Sequence, residues 1–82
     1  MRQKRIPVSV GPTPSEQQAL GRAVRELRVV RGLSQEELGY RSRTHRNYIG
    51  VVERGESNPT FESILRLLYG LDVSLDELEP RE

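Results

Sequence analysis

Residues Leu33–Pro59 read LSQEELGYRSRTHRNYIGVVERGESNP, the pattern of two short helices joined by a tight turn. Ser34 and Glu37 form a capping box that predicts the start of the first helix. Helices this short cannot bury a core alone, so we expect flanking helices to pack on them. The second helix opens with exposed Arg46 and Asn47, whose side chains can reach base edges in a major groove. The stretch therefore indicates contact with DNA.

Helical signals continue upstream of this stretch. Thr13 and Glu16 form another capping box around Pro14 at the first helical position, which predicts a helix beginning there. Gly32 predicts its left-handed end. The inward face of this helix is predicted, from spacings of four and three, at Leu20, Val24, Leu27 and Val30 or Arg31.

Inside the stretch, the second of its two helices is predicted over about residues 45–54, where Gly55 stops it. Gly39 costs about 1 kcal/mol of helix propensity relative to alanine, which is tolerable where a neighbouring helix crosses closely. The inward residues of the two helices are predicted to be Leu38, Tyr48 or Ile49, and Val52.

Two more helices are predicted downstream. Thr60 is the expected cap of an amphipathic helix with apolar positions at Phe61, Ile64, Leu65, Leu68 and Leu71. Ser74 and Glu77 form a capping box that predicts a last short helix, anchored by Leu75 and Leu78. The pattern predicts an all-α, compact five-helix bundle over residues 13–79, preceded by a flexible basic tail at residues 1–12. An arm that follows a DNA groove is the alternative for that tail.

Composition narrows the function classes. The 82 residues include no cysteine and one histidine, so one chain cannot assemble a thiolate metal site, and we expect no metal and no cofactor. No nucleophile and base stand in a recognisable arrangement, which makes an enzyme the weakest hypothesis. No apolar run approaches the ~20 residues of a membrane span. We expect a soluble, cytoplasmic protein with no small-molecule ligand.

Charge is distributed unevenly along the chain. Residues 1–54 carry eleven Lys and Arg against five Asp and Glu, whereas residues 55–82 carry two Arg against seven Asp and Glu. The asymmetry suggests a basic face that meets a polyanion and an acidic end kept away from it. Two solvated faces of opposite sign are the alternative interpretation.

Residues 20–78 resemble the Cro/phage-repressor (XRE) helix-turn-helix family, and especially the short controller proteins of restriction–modification systems. The matching stretches are LRVVRGLSQEEL, NYIGVVERGESNPT and LDVSLDEL. The resemblance implies a lambda-repressor-like bundle and a sequence-specific transcriptional regulator that binds double-stranded DNA as a homodimer on a palindromic operator. Leu65, Tyr69 and Leu75 are the apolar residues left over for a dimer surface in the C-terminal helices.

The resemblance also implies roles for single residues. Gln35 would bind a phosphate and buttress the recognition helix, and Asn58 would touch the DNA backbone. Arg28 and Glu53 would form a buried salt bridge. Independently of the resemblance, Arg41, Arg43 and Arg54 are interpreted as phosphate contacts, with plain surface arginines as the alternative for each. The full predicted DNA-contacting set is Gln35, Arg43, Thr44, His45, Arg46, Asn47, Tyr48, Val51 and Asn58.

The turn departs from the family pattern of glycine, apolar residue and serine or threonine. Arg43 stands in the glycine position, so either it adopts a positive φ at a cost of about 1 kcal/mol or more, or the turn differs slightly from that of the family. His45 is a poorer helix cap than serine, which makes Thr44 an alternative cap. For Arg46 and Asn47 the competing interpretation is two solvated residues on an exposed face.

A protein-interaction module is the second functional hypothesis: an antitoxin whose DNA binding is secondary to neutralising a toxin. Such a module needs a dedicated toxin-binding segment, and only the tail at residues 1–12 is available for it.

Overall fold

A computed structural model describes residues 13–74 of the chain. They form α1 (Pro14–Val30), α2 (Gln35–Ser42), α3 (Arg46–Glu53) and α4 (Phe61–Leu71), so the all-α class is confirmed. The predicted tail at residues 1–12 and the predicted fifth helix with Leu75 and Leu78 lie outside the described residues. Within that part of the chain, no helix is both long and apolar enough to cross a membrane.

The helices begin where side chains satisfy the first backbone amides. The Thr13 amide donates to Glu16 Oε1 at 2.9 Å, and the Glu16 amide donates to Thr13 Oγ1 at 3.1 Å. Ser34 and Glu37 make the same reciprocal pair at 2.7 and 2.9 Å. Thr60 Oγ1 accepts from the amide three residues further on at 3.1 Å. Three of the predicted helix starts are therefore confirmed.

The core lies where α2 meets the other helices, and its fully buried residues are Val24, Leu38, Ile49, Val52, Leu67 and Leu71. Leu67 was not predicted, and neither Val30 nor Arg31 faces the core as predicted, because both side chains are exposed. Phe61 and Leu65, two of the predicted apolar positions of α4, are also exposed. Each residue turns a helix by about 100°, which places Phe61 about 120° from Leu67 and Val30 about 120° from Val24. Both side chains therefore point away from the core.

Glycines allow the helices to cross closely. A Cβ added to Gly21 of α1 would lie 2.7 Å from the carbonyl oxygen of Glu53, and one added to Gly39 would lie 2.9 Å from the carbonyl oxygen of Thr44. The close neighbour of Gly39 is the turn that leads into α3, whereas the sequence suggested a crossing helix there. These contacts fix α3 against both α1 and α2.

Gly21→Ala is expected to destabilise the protein by about 1–3 kcal/mol, because the new methyl group collides with α3 backbone that cannot move without shifting the core. At a helical position with open space around it, replacing glycine by alanine would instead stabilise the protein by about 1 kcal/mol. Urea unfolding measures the difference, with Ala19→Gly on the exposed side of α1 as the propensity control. A Gly21→Ala variant more stable than the wild type would contradict the close crossing.

Candidate nucleic-acid interface

The turn between α2 and α3 is built around Arg43. Its φ of 60° and ψ of 41° lie in the left-handed region, as the sequence predicted. The chain reverses there, and the Thr44 amide donates to the Gly39 carbonyl oxygen at 2.8 Å. The buried Ser42 hydroxyl donates to the Leu38 carbonyl oxygen at 2.6 Å. These bonds hold Arg43 in a conformation that a non-glycine residue adopts only at a cost.

His45 is the cap of α3. Its backbone is extended, with φ −88° and ψ 148°, and its Nδ1 accepts from the Asn47 amide at 3.0 Å. The alternative assignment of Thr44 as the cap is therefore wrong. The Thr44 hydroxyl lies 3.0 Å from the Ser42 hydroxyl, so it is occupied within the turn.

The first residues of α3 project outward. Arg46 and Asn47 are both exposed, and Val51, one helical turn after Asn47, is partly exposed. Tyr48 packs against the core and is half-buried. The fold thus places Arg46, Asn47 and Val51 along the open side of α3.

The other predicted contacts lie at the ends of neighbouring elements. Gln35 is the first residue of α2, and its carboxamide oxygen would lie 3.7 Å from a Cβ placed on Gly50. Arg43 is exposed in the turn, and Asn58 is exposed between α3 and α4. These exposed polar side chains come from α2, the turn and the loop after α3.

A buried ion pair supports this surface. Arg28 Nε lies 2.6 Å from Glu53 Oε2, and Arg28 Nη2 donates to Glu53 Oε1 at 3.0 Å. The side chains are only 13% and 5% exposed.

The hydrogen bond from Arg28 to Glu53 raises the pKa of Arg28, and this effect outweighs burial, which lowers that pKa. Arg28 also donates to the Leu33 carbonyl oxygen at 2.9 Å, and Gln35 donates to Glu53 Oε1 at 3.0 Å. One carboxylate thereby joins α1, α2 and α3.

Two glutamates at this surface form ion pairs that were not predicted from the sequence. Glu36 Oε1 lies 3.8 Å from Arg46 Nη1, and Glu56 Oε1 lies 3.1 Å from Arg54 Nε. Arg41 also has a role that the sequence did not indicate, since its Nε donates to the carbonyl oxygen of Gly70 at 2.8 Å. The pair of Glu56 with Arg54 could have been predicted, because the two residues are two positions apart. The contacts of Glu36 with Arg46 and of Arg41 with Gly70 depend on how the helices pack.

Two helices joined by this turn, with the second one exposed at its start, define a helix-turn-helix protein. The chain belongs to the helix-turn-helix domain family, whose sequence profile matches residues 19–80. The resemblance seen in the sequence is confirmed.

The relatives include restriction–modification controllers. Control protein C.SmaI of Serratia marcescens is 41% identical over 63 residues, which span 77% of this chain and 75% of the relative. The structure of the restriction-modification controller protein C.AhdI from Aeromonas hydrophila matches with a TM-score of 0.77 and 42% identity, covering 79% of this chain and 98% of that one. The controller C.Esp1396I, solved as a tetramer in complex with its natural 35 base-pair operator, matches with a TM-score of 0.72 and 31% identity, covering 76% of this chain and 82% of that one.

Glu53→Gln is expected to lower the free energy of unfolding by about 3 kcal/mol, because it leaves the Arg28 charge buried without its partner. Replacing both residues together, Arg28→Met with Glu53→Leu, is expected to recover much of the loss. Glu62→Gln breaks the exposed pair with Arg66 and serves as the control, with an expected cost below about 1 kcal/mol. Denaturant unfolding of the four proteins tests this, and a Glu53→Gln variant as stable as the wild type would rule out a stabilising buried pair.

Proposed function

We propose that the protein is a sequence-specific DNA-binding transcriptional regulator that acts as a homodimer on a palindromic operator. The observation that carries the proposal is the exposed start of α3, with Arg46 and Asn47 projecting outward from a helix that the Arg28–Glu53 ion pair joins to α1. The operator complex of C.Esp1396I supports it, because that relative binds DNA with a fold like this one.

In this mechanism phosphate contacts position the domain and α3 reads the bases. Gln35, Arg43 and Asn58 would contact the phosphate backbone, which sets register without reading sequence. Arg46 would donate two parallel hydrogen bonds to O6 and N7 of guanine, and Asn47 would pair with N6 and N7 of adenine. No bond is made or broken, so the proposal requires no catalytic residue.

Glu36 does not prevent Arg46 from reading a base. The two side chains are 77% and 62% exposed, and their charged atoms are 3.8 Å apart. An exposed pair of this kind is worth at most about 1 kcal/mol. A bidentate contact with guanine contributes about 1–3 kcal/mol of discrimination, which is enough to separate Arg46 from Glu36 on the right sequence.

Two copies are needed for useful specificity, since one domain with a two-turn recognition helix makes few base contacts. Leu65 and Tyr69, predicted for the dimer surface, are both exposed on α4, which leaves them free to contact a second copy. The third predicted member, Leu75, lies outside the described residues. Because the regulator has to meet its operator, the proposal also places it with the DNA in the cytoplasm.

Arg46→Ala is expected to weaken binding to a selected operator by about 1–3 kcal/mol and to relax preference at one base pair per half-site. Gel shifts on the operator and on a scrambled duplex measure both effects. Arg22→Ala is the matched control, because Arg22 is an exposed arginine on the α1 surface that includes Glu26 and Val30. Equal losses on the two duplexes would mean that Arg46 contacts only phosphate.

Tyr69→Glu is expected to shift the protein from dimer to monomer in analytical ultracentrifugation at micromolar concentration, because a charge would be buried in an apolar interface. Val30→Glu on α1 is the control, since Val30 and Tyr69 are both 80% exposed. Leu65→Glu should act like Tyr69→Glu. If both α4 variants remain dimeric, the interface lies elsewhere, and a wild type that stays monomeric on an operator-length duplex would refute the dimer.

A further inference from the structure

The start of α3 depends on a single titratable side chain. The only described side-chain bond to its first amides is from the Asn47 amide to His45 Nδ1, at 3.0 Å. The first turns of α1, α2 and α4 each contain a glutamate, whereas the first turn of α3 contains no acidic residue. In α1 and α2 the capping residue and a glutamate three residues later both accept backbone hydrogen bonds, whereas in α3 His45 is the only capping side chain.

This hydrogen bond specifies the protonation state of the ring. A nitrogen that accepts from an amide has no proton, so neutral His45 has to carry its proton on Nε2. An imidazolium has two donors and no acceptor, and it cannot cap the helix. Protonation and capping thus exclude each other at this residue.

We propose that His45 is a positioning residue for base reading: its neutral Nε2–H form orders the first turn of α3, and its protonation releases that turn and lowers discrimination between DNA sequences. The inference rests on the proposed function. Arg46 and Asn47 are the first two residues of the turn that His45 caps, so loosening this turn moves the side chains that read bases.

A positive charge on His45 would oppose the start of α3. Arg46 follows His45 directly, Arg43 lies two residues before it, and Glu36 from α2 faces Arg46 at 3.8 Å. An added positive charge at the start of a helix opposes the helix dipole. On DNA the imidazolium gains attraction to phosphate, which is independent of sequence. Protonation should therefore reduce specific binding relative to non-specific binding instead of weakening both.

The cap is tested first on the free protein by nuclear magnetic resonance with nitrogen-15 histidine. The chain contains one histidine, so the signal is unambiguous. At pH 8 we expect the Nε2–H tautomer, and on acidification we expect the Asn47 amide resonance to shift together with the imidazole. An Nδ1–H tautomer, or an Asn47 amide that does not follow the ring, would overturn the proposal whether or not the protein binds DNA specifically.

The consequence is then measured as the ratio of affinities for a selected operator and a scrambled duplex at pH 8 and pH 5.5. A helix cap contributes about 1 kcal/mol, which corresponds to about fivefold in an equilibrium constant. We therefore expect the wild-type ratio to fall about fivefold between pH 8 and pH 5.5. His45→Asn keeps an acceptor for the Asn47 amide without titrating near neutral pH, so its ratio should stay constant. His45→Ala should show at pH 8 the reduced ratio of the acidified wild type.

Two outcomes of the affinity measurement would also overturn the inference: a His45→Asn ratio that falls in parallel with the wild type, or a wild type that gains affinity equally for both duplexes on acidification. The second outcome would mean that His45 only contacts phosphate. A wild type that does not distinguish the duplexes at pH 8 contradicts the proposed function, and the resonance measurement still decides the cap.

Discussion

The ion pair between Arg28 and Glu53 is the interaction on which the rest of the interface depends. It joins α1 to the last residue of α3, a helix of eight residues that has no independent stability. Gln35 of α2 donates to the same carboxylate, so three helices meet at one buried group. Within the described residues, no buried side-chain polar atom lacks a hydrogen-bond partner. The charges are therefore compensated where they are desolvated, which is the condition under which a buried pair can hold a structure together.

Burial separates the ion pairs of this surface into two kinds. The pair of Arg28 with Glu53 is desolvated at the back of α3, and breaking it strands a charge. The pair of Arg46 with Glu36 lies in solvent and is worth little, so Arg46 can leave it at small cost when a better partner arrives. The same residue types thus give a fixed support behind the helix and an exchangeable contact at its start.

The sequence predicted the features that depend on neighbours in the chain. The capping boxes at Thr13 and Ser34 follow from residues within a few positions of each other. The positive φ of Arg43 was inferred from the family turn, in which glycine usually stands at that position. The Arg28–Glu53 pair spans 25 positions, and only the family resemblance implied it. Local signals cannot specify a contact whose geometry depends on how two helices cross.

The features that the sequence did not predict correctly also depend on how the helices pack. On α4 the apolar residues are numerous enough to define more than one face, so the predicted apolar positions included the exposed Phe61 and omitted the buried Leu67. The close packing of Gly70 on α2, where an added Cβ would lie 3.0 Å from the Ser42 amide nitrogen, decides which face is buried. The His45 cap was left open between two residues because it depends on ring orientation and on which nitrogen holds the proton. Neither the ring orientation nor the protonated nitrogen can be deduced from the sequence.

The central claim is that the open side of α3 and the turn before it meet DNA. Amide chemical-shift changes in the nitrogen-15-labelled protein, recorded during titration with a selected operator duplex, test it most directly. We expect the largest changes over residues 43–51 and small changes on the α1 surface around Arg22 and Val30. A scrambled duplex should leave the amides at the start of α3 much less affected. Changes centred on that α1 surface, or the same pattern with both duplexes, would contradict the account.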